Sequence, residues 1–92
     1  MSRQVIWTTQ FKKDYKLAMK RRLPIEELDT VIRFLAEIGT LPEKYRDHEL
    51  SGEYSGFREC HIRPDWLLIY RFSNNKLILS LTRTGTHGDL FG

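Results

Sequence analysis

A chain of 92 residues with 40% hydrophobic and 29% charged side chains has room for one modest core and the balance of a folded protein, which argues against disorder. One cysteine, Cys60, rules out an internal disulfide and suits a reducing compartment, where a small buried hydrophobe is the expected role. The polar start shows no secretory signal and no apolar run nears the roughly 20 residues of a spanning helix, so a cytoplasmic protein with no membrane partner is expected.

The net charge of +3 is unevenly spread: residues 1–22 hold seven Lys/Arg against one acid, Asp14. The basic charge is therefore a patch, suited to phosphates or an acidic partner.

Val5-Ile6-Trp7 reads as a short first strand, and Thr8 or Thr9 can cap the helix that follows. There Phe11, Tyr15, Ala18 and Met19 form an apolar stripe, while Lys12, Lys16 and Lys20 recur four apart on another face. Like charges at that spacing repel, so helix stability does not explain them. Leu23-Pro24 breaks the helix and opens a second, with Glu26, Glu27 and Asp29 near its positive end. Ile25, Leu28, Val31, Ile32, Leu35 and Ile38 give it a strong stripe, with Gly39 as the residue beyond its C-cap. The two helices should form a hairpin laid on a sheet. Residues 40–56 show no period and read as a long, functional connection that contains His48.

Three strands are expected at 57–63, 66–72 and 76–84, joined by Pro64-Asp65 and by a turn at Ser73-Asn74-Asn75. The middle strand, apolar on both faces, should be central. A short tail, 85–92, closes an α+β fold: N-terminal strand, helical hairpin, antiparallel sheet.

Antiparallel pairing brings His61, Asp65, Trp66, Arg83 and His87 to one sheet edge without any functional assumption. His48 joins only if its loop folds over. Histidine exchanges protons near neutrality, and arginine offers phosphate a fork of donors. RNA carries its own 2′-hydroxyl nucleophile, so a base, an acid and a cation suffice, and neither metal nor cofactor is expected. Trp66, Phe91 or Tyr45 can stack an unpaired base. Taken singly these residues have plainer roles: His61 on a surface face, Trp66 in the core, Arg83 paired with Glu59 or Asp65. The histidine spacings match no zinc pattern, which disfavours a metal site.

The runs Tyr45-Arg-Asp-His-Glu-Leu-Ser-Gly, Gly56-Phe-Arg-Glu-Cys-His-Ile-Arg-Pro-Asp-Trp-Leu-Leu-Ile-Tyr70 and Arg83-Thr-Gly-Thr-His-Gly-Asp-Leu-Phe-Gly92 closely resemble the YafQ-type toxins of bacterial type II toxin–antitoxin systems, within the RelE/ParE superfamily. The resemblance spans the whole chain and implies a single toxin domain, 1–92. It implies a ribosome-dependent endoribonuclease that cuts mRNA in the ribosomal A site, with functional positions at His48, His61, Asp65, Trp66, Arg83, His87 and Phe91. In that scheme His87 is the general acid, Asp65 or His48 the base, and His61 and Arg83 hold the phosphate; Trp66 and Phe91 shape the base pocket. The resemblance also implies a ribbon-helix-helix antitoxin, with operator DNA reached only through the antitoxin complex. The Lys12/Lys16/Lys20 helix would then dock on ribosomal RNA, contact the antitoxin, or both. Two rivals are a gyrase-poisoning toxin of the ParE kind and a non-catalytic RNA- or ribosome-binding module.

Overall fold

In the computed structural model, which describes residues 2–92, the elements run β1 (Gln4–Trp7), α1 (Thr9–Lys20), α2 (Ile25–Glu37), β2 (His48–Glu49), β3 (Arg58–Arg63), β4 (Trp66–Ser73), β5 (Ile78–Gly85) and α3 (His87–Phe91). The strands form one sheet in the order β1-β5-β4-β3-β2. β2 to β5 pair antiparallel, as expected of a meander, whereas β1 lies parallel to β5 and makes the sheet mixed. Two elements differ from the sequence expectation: β2 within residues 40–56, and α3 where only a tail was anticipated. Among the described residues, no helix is long and apolar enough to cross a membrane.

Thr8 caps α1, accepting the Phe11 N–H at 3.1 Å, and its hydroxyl donates 3.0 Å to the Leu81 carbonyl, tying the helix start to β5. Phe11 and Ala18 of the expected stripe are buried, but Met19 is 55% exposed and the polar Asp14 is buried in its stead. Similarly Leu28, Val31, Ile32 and Leu35 of α2 are buried, yet Ile38 is 60% exposed because it is the C-cap, where the chain leaves the sheet. Gly39 follows at φ +90°, a backbone conformation that favours glycine, and a Cβ there would displace the end of the Arg3 side chain. Between the helices, the Tyr15 hydroxyl donates 2.8 Å to Asp29; burial, then this carboxylate, push its pKa up to about 12.

β4 has a core on each face. Trp66, Leu68 and Tyr70 pack with Cys60, Ile62, Leu79 and Leu81 beneath the helices, where burial raises the Cys60 thiol pKa strongly. Leu67 and Ile69 face the other way and are covered by Leu90 of α3 with Leu50, Tyr54 and Phe57. The α3 and 50–57 segments thus roof the sheet opposite the helical hairpin. The buried Tyr70 hydroxyl donates 2.6 Å to Asp47, which also accepts from Arg58 at 3.3 Å, so the chain just before β2 is pinned to the sheet.

β1 ends at Trp7, opposite Leu81, and leaves the rest of that β5 edge without a strand. Asp14 fills the gap: 8% exposed, it accepts the Thr84 backbone N–H at 3.1 Å and Arg83 Nε and Nη2 at 2.8 and 3.2 Å. Asp14→Ala removes an acceptor serving two buried or half-buried groups. It should lower unfolding free energy by about 2–3 kcal/mol in urea denaturation, whereas surface changes cost a few tenths.

Candidate functional site

Pairing of β2 with β3 sets His48 opposite Glu59, and His61 follows two residues on, on the same face. Glu59 is 5% exposed, with Oε1 3.4 Å from His48 Nε2 and 3.6 Å from His61 Nε2. His48 Nδ1 donates to the Arg46 carbonyl at 2.8 Å. That bond fixes the tautomer, so Nε2 carries a proton only when the ring is an imidazolium. A buried carboxylate between two imidazoles is thus a place where one proton can be taken up and passed on.

A bulge between His61 and Arg63 breaks the alternation in β3. His61 stays on the site face, while Arg63 turns to α2 and binds Glu27 through Nε at 3.0 Å and Nη2 at 2.6 Å. Asp65, in the connection beyond, accepts both the backbone N–H of His87 at 2.9 Å and its Nδ1–H at 2.6 Å. Those bonds, the backbone one first, hold the Asp65 carboxyl below its ordinary pKa. The His87 ring is oriented with Nε2 available, as in other carboxylate–histidine pairs.

His87 is fixed from behind as well. It opens α3, whose cap is reciprocal: Thr86 Oγ1 accepts the Asp89 N–H, and Asp89 accepts the Thr86 N–H, both at 3.0 Å. Arg21, just past α1, donates to Asp89 at 2.6 Å and, with the Thr86 N–H, pulls the Asp89 pKa down to about 2. The rings of His48, His61 and His87 then stand in a row, with centroids 6.2 and 5.9 Å apart.

The other expected residues fall into three groups. Arg83 is on the same face, opposite Ile69, but its partner is Asp14, not Glu59 or Asp65; that bond and the nearby Tyr54 hydroxyl raise its pKa. Phe91 is 50% exposed and meets Tyr54 edge to face at 5.8 Å, so Tyr54 links Arg83 to the aromatic end of the site. Trp66 is a correction: 2% exposed on the helix side, its indole N–H donates 3.0 Å to Thr84 Oγ1, and it presents no ring face to a base. The even positions of β4 face the helices, and Trp66 is one of them. Lys12, Lys16 and Lys20 are exposed on α1, in the helical layer.

Tyr54 and Arg21 have no site role in the sequence expectation, and Glu59 enters it only as a partner of Arg83. Glu59 was legible from its spacing of two from His61; the others come from tertiary packing alone. His48, Glu59 and His61 also offer ligand atoms within 4.8 Å of one another and can hold a divalent ion. Strand pairing, not sequence spacing, creates that set, so the absence of a zinc pattern was uninformative. Cys60 lies on the opposite face and cannot join it.

Residues 3–92 match the family model described as the bacterial toxin of type II toxin–antitoxin systems, YafQ. The chain is 39% identical over 93 residues to the mRNA interferase toxin YafQ of Escherichia coli K12, covering 100% of this chain and 99% of that protein. It superposes on the toxin of the E. coli DinJ–YafQ toxin–antitoxin complex with a TM-score of 0.90 and 39% identity, over 100% of both chains. A metal-bound toxin from Helicobacter pylori is similar too, with a TM-score of 0.88 and 37% identity over 99% of this chain and 100% of that one.

The bond from Arg21 to the α3 cap has a direct readout. The Asp89 carboxyl should titrate by NMR near pH 2, and in Arg21→Ala its midpoint should rise toward the ordinary 3.8. Because the folded-state pKa is depressed, the stability this group contributes is complete above about pH 4 and fades as the pH falls toward 2. An unmoved midpoint in the variant would refute the assignment.

Proposed function

The chain belongs to the YafQ family of bacterial type II toxin–antitoxin toxins, and on that premise we propose that it is an mRNA interferase, an endoribonuclease that cuts mRNA in the ribosomal A site and so arrests translation. The observation that most supports this is the row of three imidazoles, two of them with Nδ1 committed to an acceptor and one carboxylate between the first two.

The substrate's 2′-hydroxyl attacks the adjacent phosphorus, and the P–O5′ bond breaks. The products are a 2′,3′-cyclic phosphate and a 5′-hydroxyl, so one proton leaves O2′ and one arrives at O5′. His87 Nε2, backed by Asp65, gives the proton to O5′. The His48–Glu59–His61 group receives the proton from O2′; Asp65, engaged twice by His87, serves to orient it instead. Arg83, with an edge left by Asp14, meets the charge that develops on the phosphate oxygens. Phe91 and Tyr54 offer ring surface to a base, and Trp66 supports the site from below through Thr84. No step calls for a metal, since the nucleophile is supplied by the RNA.

The E. coli relative has been crystallised with DinJ. By that likeness a cognate antitoxin, of the ribbon-helix-helix kind the family resemblance implies, neutralises this chain, and operator DNA is reached only through their complex. The α1 lysines are suited to ribosomal RNA or to that antitoxin.

His87→Ala should slow cleavage of ribosome-bound mRNA by about 10²- to 10⁴-fold, the usual worth of a positioned proton donor. Glu59→Gln should do likewise. Mapping mRNA 5′ ends after induced expression decides the matter: cutting by His87→Ala at the parent rate would sink the scheme.

A further inference from the structure

Beside the histidine row lies a cavity of about 370 Å³, lined by Lys44, Arg46, His61, Ile62, Arg63 and Pro64. Its volume is within the range of ligand sites, and no acidic side chain lines it. We propose that Lys44, Arg46 and Arg63 make a subsite for the RNA backbone, holding a phosphate next to the one that is cut. The proposal rests on the nuclease reading above and adds the residues that grip the strand.

Three features carry it. First, His61 is shared: it belongs to the catalytic row and to the cavity wall, so an occupant of one is contiguous with an occupant of the other. Second, the cations are available. Lys44 and Arg46 are exposed, and neither is within an ion-pair distance of a carboxylate in the pairs formed among the described residues. Arg63 also lines the cavity, its Nε and Nη2 held by Glu27 of α2 and its side chain still 55% exposed. Third, Arg46 is built into the site by its backbone. It sits at φ +52°, a conformation that costs a non-glycine residue energy, and there its carbonyl receives the His48 Nδ1–H at 2.8 Å. One residue thus sets a catalytic ring and lines the adjoining cavity.

A polymer with a charge on every unit matches such a wall. Guanidinium forks suit phosphate oxygens, and the wall carries three cationic side chains and no carboxylate.

The test is equilibrium binding of the intact protein to a short single-stranded RNA whose riboses are all 2′-O-methylated, which blocks cleavage, followed by fluorescence anisotropy across salt concentrations. Each phosphate contact to a single strand contributes about 0.7 to the slope of log K against log salt. Lys44→Ala/Arg46→Gln should therefore flatten the slope by about 1.4, and raise KM with little change in kcat when cleavage is followed. Arg46→Lys, with the charge retained, should restore most of the slope, which separates charge from folding. An unchanged slope in the double variant overturns the proposal. So does a double variant that keeps its grip on RNA but loses binding to a polyglutamate peptide, which would assign the cavity to an acidic protein. Binding does not depend on cutting: a protein that holds the RNA through these residues without cleaving ribosome-bound mRNA defeats the nuclease reading and leaves the subsite standing.

Discussion

The carboxylate of Asp14 is where the two halves of the molecule are joined. A buried carboxylate is tolerated only when its oxygens are filled, and here a backbone N–H and a guanidinium fill them. Because β1 stops at Trp7, Asp14 serves as the acceptor that a continuation of that strand would otherwise have brought near Thr84. Directly after Thr84 come Gly85, the α3 cap and His87. The helical layer thereby sets the position of the sheet end that carries the acid–base chemistry.

Close packing continues the constraint. A Cβ on Gly85 would lie 3.0 Å from Asp89, so α3 folds tightly back on the strand that precedes it. That return brings His87 across Leu67 to within 5.9 Å of His61 and lets Leu90 cover the second face of β4. The small second core and the site are therefore one construction: burial of Leu67, Ile69 and Leu90 holds the imidazoles in their row.

Charges in the site follow a simple division. Carboxylates Glu59 and Asp65 each face imidazoles, which keeps proton-exchanging groups together at the centre. The arginines Arg21, Arg63 and Arg83 are each held by an acid at the margin: Asp89, Glu27 and Asp14. Lys44 and Arg46 stand outside that arrangement, on a wall that adjoins His61.

Sequence alone determined whatever depends on local period or local turn chemistry: the two long helices, the Thr8 cap, glycine at position 39, the three-strand meander with its doubly buried middle strand, and the family. It also brought His61, Asp65, Arg83 and His87 to one edge. Tertiary structure decided the rest, because the remaining elements have no period to read. β2 is two residues long and exists through Asp47 and its pairing with β3; α3 is five residues, announced only by the capping pattern Thr86-His-Gly-Asp89. The direction of β1, the burial of Asp14, the exposure of Met19 and the loss of Trp66 to the core were likewise settled by packing. A side chain's partner is chosen by whichever group folding brings within about 3 Å, as hydrogen bonds require. For Arg83 that group lies 69 residues away along the chain.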